Sequence, residues 1–328
     1  MTHIYTSENA IDVLNLTKYY GDLLAVDHIN FNIRKAEIFG FLGPNGAGKT
    51  TTIHMLTGII KPTSGSATIS GFDVTHNPFK VKGLVGVVPE DSFLYEEMTA
   101  WDNILFTAKL HSIPKEKRLR LARELLEYFD LYERRKDRIS TFSRGMKRRI
   151  MIASALIHEP KILFLDEPTA GLDVQSSRQI RDIIRDLNKN GTTVFLTTHY
   201  IEEADQLCNR IAIIKDGKII TIDTPKNLKT ITQAKNLIEI SFDRTKNIHN
   251  DLKMLDHVRE VVILENKFRL YLEKPFLPLN FIFDFAKKNQ LKILSINTLK
   301  PTLEDAFVKL TGLHTKDMAI EKEHIKRD

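Results

Sequence analysis

One cysteine, Cys208, stands in 328 residues, so no disulfide can close within the chain, and such thiol usage suits a reducing compartment. Long apolar runs are missing too: no window approaches the roughly 18 uninterrupted apolar residues of a membrane span. Met1-Thr2-His3-Ile4 leads into polar residues rather than into the apolar core of a secretory leader. These absences together predict a cytoplasmic protein, held at a membrane only by a partner. Aromatic residues amount to 8% and do not interleave with the basic ones as a single-strand-binding surface requires, so no nucleic-acid partner is expected. What remains, 42% hydrophobic and 27% charged, is ordinary globular composition, long enough for one large domain and a smaller one.

The net charge of +6 is unevenly placed. Thirteen Lys and Arg face six Asp and Glu between Lys115 and Arg149, which accounts for the whole excess. Solvated helix faces explain most of these side chains, and proximity to anionic lipid is the functional alternative.

Four apolar runs end in polar residues of chemical interest: Ile38–Leu42 before a glycine-rich turn, Leu84–Val88 before Pro89-Glu90, Ile162–Leu165 before Asp166-Glu167, and Val194–Leu196 before Thr197-Thr198-His199. Continuous runs of this length suit parallel strands covered on both faces. Asp27–Ile33 instead alternates, which predicts a half-exposed antiparallel strand. Helical spacing recurs in Ala122/Leu125/Leu126/Phe129, Ile150/Ala153/Ser154/Ile157 and Ile180/Ile183/Ile184/Leu187, the last followed by Gly191 at a capping position. Residues 92–159 thus read as a helical insert, and Asp216-Gly217 as a hairpin turn. From Leu237 the order is strand, helix, strand, strand, helix, strand, the split β-α-β of ferredoxin-like domains. A last helix opens with a capping box at Thr302–Asp305 and is expected to bury Leu303, Ala306, Phe307 and Leu310, before a charged, mobile tail over 313–328. The expected fold is therefore α/β, with a P-loop NTPase core, an antiparallel β subdomain, the helical insert and a small C-terminal α+β domain.

Gly43-Pro44-Asn45-Gly46-Ala47-Gly48-Lys49-Thr50 matches the P-loop pattern in full, between a strand and a helix over Lys49–Leu56. Its glycines let backbone N–H groups turn toward phosphates, and the helix aims its positive end at the same anion. Lys49 is expected on the β- and γ-phosphates of ATP, Thr50 on Mg²⁺, and Thr51 beside them. Asp166, ending its strand, is the expected Mg²⁺ partner, and Glu167 the base that polarises water. Two carboxylates can also simply cap a strand end, but after Ile-Leu-Phe-Leu in a P-loop chain the catalytic reading is favoured.

In these motifs residues 8–228 resemble the nucleotide-binding domain of ATP-binding-cassette (ABC) transporters. Phe142-Ser143-Arg144-Gly145-Met146 stands where that family has its Leu-Ser-Gly-Gly-Gln signature, Ala170-Gly171-Leu172-Asp173 looks like its D-loop, His199 its switch histidine, and Tyr20 the aromatic that stacks on adenine. Pro89-Glu90 occupies the place of its glutamine loop. Ser143 and Asp173 also suit ordinary helix caps, and either Tyr19 or Tyr20 could be core. The resemblance implies catalytic roles for Lys49, Glu167 and His199, nucleotide contacts from Ser143 and Gly145 of a second subunit, and metal contact from Glu90. Arg144, Met146 and Glu90 depart from the family pattern. Glu90 and Arg144 carry opposite charges and could pair across two subunits, or Glu90 could ligate the metal with Arg144 in solvent. Pro301–Gly312 resembles the end of ATPases serving ABC-2 type exporters. The implied protein is an ATPase that works as a homodimer, or with a related second ATPase subunit, on a separate transmembrane permease. It would sit peripherally on the cytoplasmic face and touch membrane only through the permease or the inner leaflet; 237–312 is then an accessory domain. The alternative is a soluble ABC ATPase acting on nucleic acid or the ribosome, which lacks here the second cassette or long insertions that such proteins carry.

Overall fold

The computed structural model describes residues 8–231, 236–244, 248–256, 258–264, 267–272, 279–300 and 302–313. They fall into two compact units, 8–225 and 226–313. The tail expected over 313–328 lies, beyond Leu313, outside the described residues.

In the first unit β1 (Asn9–Tyr20) and β2 (Leu23–Arg34) form a long antiparallel pair. β3 (Ile38–Leu42) then leads into α1 (Lys49–Leu56). β4 (Ser64–Ile69) and β5 (Phe72–Asp73) complete a four-stranded antiparallel sheet in the order β2-β1-β4-β5. After α2 (Pro78–Leu84) and β6 (Val85–Val88) come three helices, α3 (Ala100–Leu110), α4 (Lys115–Tyr128) and α5 (Arg144–Leu156), which make up the insert. β7 (Ile162–Asp166), α6 (Val174–Lys189), β8 (Thr193–Thr198), α7 (Ile201–Leu207) and the hairpin of β9 (Arg210–Lys215) with β10 (Lys218–Asp223) finish the unit. The second sheet runs β10-β9-β3-β8-β7-β6, parallel except at the β10 edge.

The sequence patterns explain the layers. Every residue of β3, β7 and β8 is buried, as an apolar strand with cover on both faces should be. Over β2 the alternating side chains Ile29, Phe31 and Ile33 face inward. Phe31 stacks on Phe39 with ring centroids 5.5 Å apart, and Phe195 joins Phe31, Phe39, Phe41 and Phe164 within 6.2 Å. This aromatic wedge fastens the antiparallel sheet to the parallel one; each such ring buried contributes about 1.5–3 kcal/mol.

Most cations of the basic stretch have partners within the chain. Lys117, Arg120, Arg123, Arg134, Arg138 and Lys147 pair with carboxylates, and Arg135, Arg144, Arg148 and Arg149 donate to backbone carbonyls. Exposed pairs of this kind are each worth about 0–1 kcal/mol, so they mark solvated helix faces more than a free cationic patch.

The second unit opens with α8 (Pro225–Thr230) and continues as β11 (Asn236–Phe242), α9 (Ile248–Lys253), β12 (Val258–Leu264), β13 (Lys267–Leu272), α10 (Asn280–Lys288), β14 (Ile293–Leu299) and α11 (Leu303–Thr311). Its sheet is antiparallel in the order β12-β13-β11-β14, the ferredoxin-like arrangement of two interleaved β-α-β units. Ile238, Ile240, Phe242, Phe268 and Leu270 pack on one side with Leu252, Ile282 and Phe285 of the helices. Leu237 and Tyr271 belong to the other side.

α11 explains the Pro301–Gly312 motif. Leu303, Ala306 and Phe307 are buried as expected, but Leu310 is only half-buried, because the helix turns Asp305 and Thr311 inward instead. Asp305 Oδ2 accepts from the Thr302 backbone and hydroxyl at 2.8 and 2.7 Å, closing the capping box. Its Oδ1 accepts from Arg269 at 3.0 Å and Tyr271 at 2.8 Å. Burial, then the carboxylate, push the Tyr271 hydroxyl pKa far upward, so it stays a donor. Removing the carboxyl in Asp305→Ala loses a cap worth about 1 kcal/mol and strands buried donors at about 1–3 kcal/mol. Denaturant unfolding should show this unit less stable by about 2–4 kcal/mol, with Asp305→Asn recovering part of the loss.

Candidate nucleotide site

The site forms where β3, β8 and β7 end side by side. Their parallel register places Leu42 opposite Thr198 and Asp166 opposite Thr197. Beyond Leu42 the backbone closes tightly. A Cβ on Gly43 would lie 2.3 Å from the Ile214 carbonyl, and Gly48 adopts φ 97° with the Ala25 carbonyl 2.5 Å from where its Cβ would be. The Asp216-Gly217 hairpin turn props the loop, Gly217 N–H donating to the Ala47 carbonyl. No side chain caps α1, so its first N–H groups suit an anion cradled by residues 43–51.

Five predicted residues come together here. Lys49 is buried; its Nζ donates to the carbonyls of Gly43 and Pro44 at 2.8 and 3.0 Å and lies 3.2 Å from Glu167 Oε1. The Thr50 hydroxyl donates to Asp166 Oδ2 at 2.8 Å, and the Thr197 hydroxyl donates to Oδ1. His199 Nδ1 stands 2.9 Å from Glu167 Oε2, and its backbone N–H donates to the same oxygen at 3.3 Å. Glu167 itself sits at φ 49°, a left-handed conformation that costs a non-glycine residue about 1–2 kcal/mol and here swings its carboxyl between Lys49 and His199.

The two neighbouring carboxyls are driven apart in acidity. Burial pushes the Asp166 pKa up, and the two hydroxyl donors only partly oppose it. Burial also raises Glu167, but His199 and then Lys49 outweigh it, and its pKa falls below the ordinary carboxylate value. Glu167 is therefore a carboxylate of lowered pKa set between Lys49 and His199, and Asp166 a hydroxyl-bound one beside Thr50. Two such carboxyls are what a division between a water-activating and a cation-holding group needs.

The other predicted residues occupy different parts of the surface. Tyr19 and Tyr20 are both exposed, so neither is core, and Lys18 Nζ lies 5.2 Å from the Tyr20 ring centroid. Ser143 caps α5, accepting from Met146 N–H at 3.3 Å. Gly145 touches the start of α6: a Cβ there would lie 2.4 Å from the Ser176 hydroxyl. Asp173 caps α6 by accepting from Ser176. Arg144 is exposed and donates to the Gly171 carbonyl at 3.3 Å within its own chain.

Arg148 escaped the sequence reading. It is buried on α5 and donates to the carbonyls of Pro89 at 2.8 Å and Glu90 at 2.9 Å. Burial lowers its pKa, while the charges of Glu90, Asp166, Glu203 and Asp91 favour its ionised form. A countercharge for Glu90 is thus supplied in cis. The available signal was spacing: Arg148 lies three residues after Gly145 and four before Ile152, on the buried face of α5.

The sequence profile of the ABC transporter family matches residues 26–170. The linearmycin resistance ATP-binding protein LnrL of Bacillus subtilis is 38% identical over 92% of this chain and 98% of its own length. The bacitracin transport ATP-binding protein BcrA of Bacillus licheniformis is 35% identical over 92% and 97%. Among solved structures, cbiO1 from Clostridium perfringens, part of the ABC transporter complex cbiONQ, superposes with TM-score 0.64 at 28% identity, covering 69% of this chain and 94% of that one. Fold and site together define a P-loop nucleotide hydrolase. More narrowly, the chain belongs to the family of ABC transporter ATP-binding proteins, which bind nucleotide and hydrolyse ATP.

Arg148→Met should take the donor from two half-buried carbonyls, at about 0.5–1.5 kcal/mol for each bond lost. Thermal unfolding should report the loss, and limited proteolysis should cut near 89–95 faster than in the parent.

Proposed function

We propose that this chain is the motor subunit of an exporter: it binds ATP and Mg²⁺ at the 43–51 loop, dimerises over the nucleotide, and drives a separate transmembrane permease from the cytoplasmic face. In this reading 8–228 is the nucleotide-binding domain with its helical insert at 92–159, and 237–312 the accessory domain. The observation that carries it is the bonded cluster of Lys49, Glu167 and His199 beside Thr50 and Asp166.

Lys49 would turn from the Gly43 and Pro44 carbonyls toward the β- and γ-phosphates, releasing Glu167. The freed carboxylate, rid of Lys49 and so of one cause of its lowered pKa, would accept a proton from the attacking water, while His199 holds the γ-phosphate. Thr50, Asp166 and Glu90 are oxygen donors suited to Mg²⁺, and no cluster of three acidic, His or Cys groups cages a metal among the described residues. That fits an ion held by one or two carboxylates together with substrate phosphates, where it would neutralise developing charge. Tyr20 would stack on adenine; Ser143 and Gly145 would reach the γ-phosphate of the partner's ATP.

The names of relatives support export: besides linearmycin resistance and bacitracin transport, they include a Nod factor export ATP-binding protein of Burkholderia thailandensis. They give no support to action on nucleic acid or the ribosome. No described helix is long and apolar enough to cross a membrane.

Lys49→Ala should lower ATP turnover of the purified chain by about 10²-fold or more; near-normal turnover would remove the P-loop assignment. Glu167→Gln should bind ATP, lose about 10²–10⁴ in rate, and elute as a dimer with ATP but not with ADP. A persistent monomer counts against the sandwich.

A further inference from the structure

Glu203 is a carboxyl that the reaction as described does not use. It lies in the first turn of α7, only 2% exposed, and forms no ion pair among the described residues. Its Oε1 accepts from the Thr169 hydroxyl at 2.8 Å. Burial raises its pKa, opposed by contacts from the Thr198 and Thr169 hydroxyls, with the charge of Glu167 raising it further and that of Arg181 lowering it. Burying a carboxyl without a cation is costly, and an apolar side chain of like size would pack α7 at least as well. Packing therefore does not explain why an acid stands here.

Its hydroxyl partner and its place on α7 do. Thr169 is buried two residues after Glu167, inside consecutive turns in which Ala170 N–H donates to the Glu167 carbonyl and Leu172 N–H to the Thr169 carbonyl. Thr198, at the end of β8, precedes His199; its hydroxyl accepts from Tyr200 N–H, and its carbonyl accepts from Gly43 N–H of the phosphate loop. The Glu203–Thr169 bond thus joins the turn leaving the base to the first turn of α7, the helix that begins two residues after the histidine.

We infer that Glu203 is a positioning residue for hydrolysis, tying the turn after Glu167 to the helix start after His199 so that base and histidine keep one spacing when nucleotide enters. This rests on the roles proposed for Glu167 and His199. A slack tie would leave nucleotide binding intact and misplace the base, and a displacement near 1 Å costs about 10²-fold in rate.

The experiment is steady-state ATPase and ATP binding on the purified full chain, with thermal unfolding, for Thr169→Val, Glu203→Leu, Glu203→Gln and the Thr169→Val/Glu203→Leu double variant, beside Glu167→Gln. Thr169→Val and Glu203→Leu should each lower kcat by about 10- to 100-fold with KM for ATP within about twofold. The double variant should be no slower than the worse single one, since both break the same link. Glu203→Gln, which keeps the shape and an acceptor, should retain most of kcat. A folded Thr169→Val with kcat within about twofold of the parent overturns the inference, as do losses that multiply in the double variant. Should Glu203→Leu fail to fold, Thr169→Val and Glu203→Gln decide. An inactive Glu167→Gln beside an unimpaired Thr169→Val overturns only the positioning role; a fully active Glu167→Gln overturns the role of the base and this inference together.

Discussion

The site depends on one buried carboxylate shared by two hydroxyls. Asp166 ends β7 with Thr50 on one oxygen and Thr197 on the other, and those hydroxyls belong to α1 and to the neighbouring strand β8. Because β7, β8 and β3 are parallel and in register, satisfying this carboxylate fixes the strand ends and the start of α1 against one another. The aromatic wedge around Phe195 holds the same strands from beneath. Slippage of any strand would leave a buried charge unsolvated, which is far more costly than the loss of an ordinary hydrogen bond.

Around this anchor the site is a set of charges that answer one another before nucleotide is present. Lys49 and His199 bracket Glu167, and the strained backbone of Glu167 is tolerated because both contacts require it. In the proposed reaction a triphosphate would offer Lys49 a stronger anion than one carboxylate, so that occupancy and release of Glu167 would be linked by simple competition. The departures from the family pattern find local partners as well. Arg148 donates to the Pro89 and Glu90 carbonyls, while Arg144 reaches the Gly171 carbonyl and so joins the start of α5 to the loop before α6. Opposite charges at positions 90 and 144 thus need no common cause.

The 226–313 unit solves a different problem. Its sheet has one apolar face under α9 and α10, and a second face where Glu239, Arg269, Tyr271 and Asp305 form a bonded polar layer beneath α11. Asp305 satisfies its helix's N-terminus with one oxygen and this layer with the other. The short motif at the chain's C-terminal side therefore reflects a folding requirement of that unit, independent of the chemistry at residues 43–51.

Much of this was written in the sequence. Apolar runs of strand length, a complete phosphate loop, an acidic pair after Ile-Leu-Phe-Leu and a capping box at Thr302 are local patterns, and local patterns survive in one dimension. They determined the parallel strands β3, β6, β7 and β8, the β9–β10 hairpin, helices α1, α4, α5 and α6, the order of elements from β11 onward, and the choice of Lys49, Thr50, Asp166, Glu167 and His199 as candidates, whereas β1, β4, β5, α2 and α7 were not read. Tertiary structure alone decided what those residues touch. That Thr197 serves Asp166, that Arg148 holds the backbone at Pro89, that Glu203 joins Thr169, and that Leu310 yields its buried place to Asp305 and Thr311 all depend on contacts across 30 residues or more, or on the rotation of a helix about its axis. Nothing in a residue's neighbours along the chain encodes such contacts. They arise when packing removes water from polar groups and leaves each to find a partner among whatever the fold has brought near.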